Sequence, residues 1–260
     1  MLGKVLKYDL KALNRYLIPL YAVIVGLSVM VRLLGFFEKV PVIDIVLGLM
    51  IVALVLVIAF SFVLTGIFNI KHYLDNLFKD EGYLTHTLPV KKGTLLLSKV
   101  LASLITVMIT FILIVVSLLV AFYQKGLFSD ITDLFNLNLG GLEFYKFMIY
   151  MGIYGLIGYI TTILMVFAAI AIGYSKNTNK LVSSVVWALI FYFGMEFLYL
   201  GILGIVMAIN PSFIASLEAE TFLMTDLLNF FTIFMVFTIL IGCAFYYISY
   251  RFMDKKLNLE

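Results

Sequence analysis

Charged residues are scarce in this chain of 260 residues. Asp, Glu, Lys and Arg together make up 13% of it, whereas a soluble domain carries about 25%. Residues of the apolar set account for 64%, so a globular core of this composition would not have enough polar groups to cover its own surface. The composition excludes an ordinary soluble domain and predicts a polytopic membrane protein.

Cysteine is nearly absent as well, which excludes an internal disulfide, since Cys243 stands alone inside an apolar run. The first residues are charged and periodic, unlike a cleavable signal peptide. His72 and His86 have no cysteine nearby, so we expect no metal site. The small net charge of +3 is typical of loop topology in a membrane chain rather than of nucleic-acid binding.

Sequence motifs for chemistry are also missing. The chain has no G-x-x-x-x-G-K-[ST] segment, so we do not expect it to bind ATP in the P-loop manner. It has no H-E-x-x-H segment and no credible set of Ser, His and acidic residues for nucleophilic catalysis. These absences favour a non-enzymatic function.

Long apolar runs are what the sequence has in abundance. A helix needs about 20 apolar residues to cross the hydrocarbon layer, and six runs qualify: 17–37, 43–68, 100–123, 147–173, 181–209 and 227–250. The runs are continuous rather than alternating, which favours helices over a β-barrel. We therefore predict an all-α membrane protein with six transmembrane helices and a single permease domain over residues 1–260.

Basic residues predict the orientation of these spans. If both termini are cytoplasmic, only Arg32, Lys39, Lys125 and Lys146 of the 18 basic residues fall on the outer side. Cytoplasmic loops of membrane proteins carry the excess of Lys and Arg. We expect both termini in the cytoplasm, with outer loops near 124–143 and 210–227, and a multi-pass location in the plasma (cytoplasmic) membrane of a bacterium.

The first sixteen residues form a candidate amphipathic helix. Four basic residues recur at spacings of three and four and so share one helical face: Lys4, Lys7, Lys11 and Arg15. We expect this segment to lie in the headgroup layer, either as a plain anchor to membrane lipid or with its basic face toward a partner. Asp9 interrupts the opposite, apolar face and requires a buried partner.

The segment 69–99 is the least membrane-like part of the chain. Pro89 cannot continue a helix, so we expect a short transverse helix or turn over 77–87, with Thr94 as the cap of the helix that follows. Large apolar residues in this water-facing segment predict a docking surface: Leu77, Phe78, Tyr83, Leu84 and Leu88. The alternative is that they pack beneath their own spans.

The run DEGYLTHTLPVKK, from Asp80 to Lys92, together with the apolar run that closes on Ser98-Lys99, resembles the cytoplasmic loop of ABC-2-class permeases. That loop also lies between the second and third of six spans. The resemblance implies a coupling helix that docks on a separate nucleotide-binding ATPase subunit, which binds ATP and Mg. It also implies a second permease chain, as a homodimer or a heterodimer, and an exporter function. The implied contact residues are Lys79, Asp80, Glu81, Gly82, Tyr83, Leu84, Thr85, His86, Leu88 and Pro89.

Glu196 is a carboxylate in the middle of the fifth run, where charge is costly and marks a pathway, a proton relay or a buried pair. Tyr192 and Tyr199 share its helical face and could hydrogen-bond it. We consider these three residues a candidate translocation path; the alternative is that Glu196 is a protonated, structural residue that the two tyrosines hydrogen-bond. The alternatives to an exporter subunit are a proton-coupled secondary carrier that uses Glu196 and a membrane sensor or scaffold.

Glycines in the fourth and fifth runs predict close helix approach: Gly152, Gly155, Gly158, Gly194, Gly201 and Gly204.

Overall fold

The computed structural model describes residues 1–37, 41–87, 89–123, 138–139, 142–176, 179–209 and 224–255. Its helices are α1 (Leu2–Leu34), a 3₁₀ turn (Gly35–Phe37), α2 (Pro41–Phe78), α3 (Asp80–Thr87), α4 (Lys92–Ala121), α5 (Phe144–Gly173), α6 (Lys180–Ile209) and α7 (Met224–Lys255). In this part of the chain, six helices are long and apolar enough to cross a membrane, which confirms the predicted fold class. The predicted outer loops near 124–143 and 210–227 lie largely outside the described residues, apart from a two-residue antiparallel pair, Asn138–Leu139 with Leu142–Glu143.

The helices form two compact units, Met1–Leu127 and Phe128–Glu260. In the first unit α1, α2 and α4 pack against one another, and α3 packs on α2. In the second unit α5 packs against both α6 and α7. The assignment of the whole chain to one permease domain stays a prediction.

Helix α1 differs from the prediction at its start. The sequence predicts a separate interfacial helix over 1–16, but the structure joins that segment and the first span into one helix of 33 residues. At ~1.5 Å per residue this helix is ~50 Å long, well beyond the ~30 Å hydrocarbon layer. Its buried face carries Leu13, Leu17, Ile24 and Val31 at helical spacing, while the predicted basic face is exposed. The amphipathic pattern therefore positions α1 within the first unit.

Two apolar clusters show the directions of the helices in the first unit. Leu13 and Leu17 near the start of α1 pack against Ala102 near the start of α4. Val31 near the end of α1 packs against Ala121 at the end of α4, and Arg32 donates to the backbone carbonyl of Tyr123 just beyond it. Helices α1 and α4 therefore run parallel, with α2 antiparallel to both.

The second unit is built around α5, whose last turns from Ile163 to Gly173 are buried except at the half-buried Val166. A Cβ added to Gly173 would lie 2.6 Å from the backbone nitrogen of Ser184, so this glycine permits the close approach of α5 and α6. The glycines that the sequence singled out do not have this role within the chain, because none of the six has an atom within 4 Å of an added Cβ among the described residues. The tight intrachain contacts lie at Gly173 and Gly242 instead.

Candidate functional site

Helix α3 is the short helix that the sequence predicted in the polar segment, and it ends at Thr87, two residues before Pro89. Tyr83 and Leu84 are the exposed apolar side chains of this helix, with exposed fractions of 68% and 69%. Apolar groups at this exposure are available for contact with another surface. Among the described residues of the predicted docking surface, these two are the exposed anchors.

Other predicted contact residues occupy different positions. Leu77 and Phe78 are buried at the end of α2, so their assignment to an exposed docking surface is wrong and their burial favours the alternative of packing within the protein. Gly82 and Thr85 are buried as well, and Thr85 donates from Oγ1 to the Glu81 carbonyl oxygen at 3.0 Å. These four residues are therefore not exposed for docking.

Of the remaining predicted contact residues, some lie on the surface and others lie outside the described residues. Lys79 pairs with Asp75 at 2.8 Å, and Glu81 and Pro89 are exposed. Leu88 lies outside the described residues, as do the side chains of Asp80 and His86. The predicted Thr94 cap is wrong, because α4 begins at Lys92 and its N-cap position is Lys91, without a side-chain capping bond.

A buried ion pair joins α1 to α4 beneath α3. The Nζ atom of Lys99 lies 2.5 Å from Oδ1 of Asp9, and the exposed fractions of the two residues are 2% and 4%. Ser98 donates from Oγ to the second Asp9 oxygen at 2.7 Å. Because taking two charges out of water is costly, such a pair persists only where further hydrogen bonds satisfy both groups. Asp9 thus has the buried partner that its place in the sequence required.

Helix α2 adds two polar side chains to this pair. His72 Nε2 lies 3.0 Å from Asp9 Oδ1 and 3.0 Å from Lys99 Nζ. Its Nε2 atom can donate to the carboxylate or accept from the ammonium, depending on the tautomer of the ring. Asn76 accepts from Lys99 Nζ through Oδ1 at 2.5 Å.

Asn76 also connects the buried pair to α3. Its Nδ2 donates to Oε2 of Glu81 at 3.1 Å, so a continuous chain of polar contacts runs from Asp9 through Lys99 and Asn76 to Glu81. This set of residues, Asp9, His72, Asn76, Glu81, Ser98 and Lys99, is the polar network. The polar network thus links α3 to α2 through Asn76, and to α4 and α1 through Lys99 and Asp9.

Further polar side chains continue from the polar network along α2 and α4. Asn69 Nδ2 donates to Thr106 Oγ1 at 3.0 Å, and Thr65 and Thr110 share a hydroxyl bond at 3.2 Å. Tyr21 of α1 bonds the same Thr110 hydroxyl at 2.9 Å. Interhelical hydrogen bonds of this kind hold helices together where lipid supplies no hydrophobic driving force.

The candidate translocation path is only partly assembled. Glu196 is exposed on α6, and among the described residues neither Tyr192 nor Tyr199 hydrogen-bonds it. Tyr199 instead shares a hydroxyl bond of 3.1 Å with Thr238 of α7. The predicted tyrosine bonds to Glu196 are therefore wrong, and its role in a pathway stays a prediction.

Comparisons with protein-family models, with curated proteins and with solved structures give no match for this chain. The features that bear on function, the exposed anchors of α3 and the polar network, lie in the first unit.

Proposed function

We propose that this chain is the membrane-spanning subunit of an ABC-2-type exporter and that α3 is its coupling helix. The observation that carries the proposal is the pairing of exposed apolar anchors on α3 with a polar connection from the same helix to buried charges of the bundle. A helix that only closes a loop needs neither feature. In this proposal a separate ATPase subunit binds ATP and Mg, docks on Tyr83 and Leu84, and moves α3.

The polar network explains how such a movement reaches the spans. Glu81 lies on α3, Asn76 and His72 on α2, Lys99 on α4 and Asp9 on α1. Because these contacts follow one another from helix to helix and the central pair is buried, movement of α3 would act on α2 through Asn76 and then on α4 and α1 through Lys99 and Asp9. Packed helices respond to such strain by shifting as units rather than by deforming continuously.

Glu196 supports the second permease chain of this proposal. A carboxylate in the middle of a span that faces lipid is costly, and α6 leaves Glu196 exposed. Cover from a second copy or from a similar chain, or from a water-filled cavity between two chains, removes that cost. The proposed location is a bacterial cytoplasmic membrane, with the start of α1, α3 and the end of α7 on the cytoplasmic side.

Substitution of the two anchors tests the docking role. Tyr83→Asp and Leu84→Asp each place a charge in the proposed interface, and we expect each to abolish co-purification of an ATPase subunit and transport-linked ATP hydrolysis. Anchors in the centre of an interface cost ~2–4 kcal/mol when lost, which is a factor of roughly 30 to 900 in affinity.

Val182→Asp is the matched control, since Val182 is 63% exposed at the start of α6 but lies in the second unit. It should retain the ATPase. If the wild-type complex contains no ATPase subunit, or if both α3 variants keep it with full activity, the exporter proposal is wrong.

A further inference from the structure

A cavity of about 360 Å³ lies in the first unit between the first half of α1, the end of α2, and α3, and four residues of the polar network form part of its wall: Asp9, His72, Asn76 and Glu81. Its wall carries side chains of both charge signs. The basic ones are Arg15 and Lys71, and the acidic ones free of the buried ion pair are Asp75 and Glu81. A site of mixed sign suits a ligand that itself carries both charges.

The two signs are arranged in order along the helices. Tyr16 and Phe68 stack at 5.5 Å at the end of the cavity nearest the apolar part of the spans, and Lys71 Nζ lies 5.3 Å from the Tyr16 ring. Asp75 is one helical turn beyond Lys71, ~6 Å along the axis of α2. The cations therefore lie nearer the apolar spans and the carboxylates farther out.

Each charge has capacity for a ligand. Arg15 makes no hydrogen bond or ion pair within the described part of the chain, and its side chain is exposed. Lys79 uses Oδ1 of Asp75, and Asn76 uses Oε2 of Glu81, so each carboxylate keeps a second oxygen for another donor.

The depth of the cavity matches the headgroup layer. Helix α2 has 38 residues, ~57 Å of helix against ~30 Å of hydrocarbon, so its polar last turns extend beyond the acyl chains. In a zwitterionic phospholipid the phosphate is attached to the glycerol, next to the acyl chains, and the amine lies farther toward water. This order of negative and then positive charge is the complement of the order in the cavity.

We propose that this cavity binds the phosphoethanolamine headgroup of a bilayer lipid. The phosphate binds Arg15 and Lys71, and the primary ammonium binds Asp75 and Glu81. An anionic glycerol headgroup offers the carboxylates no cation and meets their repulsion. A choline headgroup has no N–H to donate to the carboxylate oxygens. The proposal does not depend on the exporter function, since it needs only the first unit in a bilayer.

Lipid retention by the full chain provides the test. The purified protein is equilibrated with vesicles of equimolar phosphatidylethanolamine, phosphatidylcholine and phosphatidylglycerol, and native mass spectrometry identifies the lipids that it keeps. We expect preferential retention of phosphatidylethanolamine by wild type. Lys71→Gln and Arg15→Gln should each weaken that retention about fivefold, the effect of one basic residue at a membrane surface, and Asp75→Asn should remove the preference over phosphatidylcholine.

Charge order is tested by an exchange variant, Lys71→Asp with Asp75→Lys, which keeps the net charge and composition of the cavity wall. It should lose the preference for phosphatidylethanolamine. Lys4→Gln and Asp44→Asn, which change exposed charges on α1 and α2 outside the cavity, should keep it.

Three results would overturn the proposal: equal or tighter retention of phosphatidylglycerol, an unchanged preference in the exchange variant, or no preference in wild type. Soluble O-phosphoethanolamine distinguishes a free metabolite from a lipid. If it displaces the lipid at equal concentration, the ligand is the metabolite and the bilayer source is wrong.

Discussion

At the scale of single residues, Asp9 and Lys99 form a buried ion pair whose removal from water costs free energy. Both are almost fully buried, and each charge is tolerated only because the other is present. Loss of one partner leaves an uncompensated buried charge, whereas replacement of both by apolar residues of similar size is close to neutral. The pair therefore has a stability signature that an exposed ion pair lacks.

We expect Asp9→Leu alone to lower the free energy of unfolding by about 3–5 kcal/mol, and Lys99→Met alone to do the same. The double variant should recover most of that loss while it loses coupling between ATP hydrolysis and transport, because the polar network no longer reaches α4. Thermal unfolding of the purified chain measures the first effect, and ATPase stimulation in the complex measures the second.

Thr162→Ala, which removes one exposed hydroxyl bond in α5, serves as the control and should change the free energy of unfolding by ~0.5 kcal/mol or less. A double variant as unstable as the singles would show that the ion pair is not the cause.

At the scale of secondary-structure elements, the six long helices could be predicted because hydropathy is a local property of the sequence. The end of α3 before Pro89 could be predicted from the proline itself, which is also local information. The polar network was missed because it depends on the register of three helices. A signal was present nonetheless: Ser61, Thr65, Asn69, His72 and Asn76 recur every three or four residues, as one polar stripe on an otherwise apolar helix. The burial of Leu77 and Phe78 depends on where α3 packs, which no local pattern contains.

The link between α3 and α2 can be cut without loss of the buried pair. Asn76→Asp keeps an oxygen that accepts from Lys99 but replaces the donor to Glu81 with a repelling carboxylate. We expect this variant to retain the ATPase subunit, since Tyr83 and Leu84 are intact, while transport-linked ATP hydrolysis falls at least tenfold. Co-purification and ATPase assays on one preparation separate the two effects.

Thr87→Ala is the control within α3, because it removes only a local bond to the Leu84 carbonyl oxygen. It should behave as wild type in both assays. Full coupling in Asn76→Asp would show that force does not pass through Asn76, and loss of the ATPase subunit would show that the contact maintains the docking surface instead.

At the scale of the whole molecule, six membrane crossings would put both termini on the same side, and the distribution of Lys and Arg predicts that this side is the cytoplasm. The coupling role of α3 requires that orientation. Labelling in intact cells tests it, since Cys243 is the sole cysteine and Cys243→Ser gives a background without thiols. On that background Gly3→Cys, Thr87→Cys and Asp254→Cys should react with a membrane-impermeant maleimide only after permeabilisation, whereas Phe37→Cys, at an exposed position at the outer end of the first span, should react in intact cells. Reaction of Thr87→Cys from outside would place α3 away from cytoplasmic ATP, and no ATPase could then dock there.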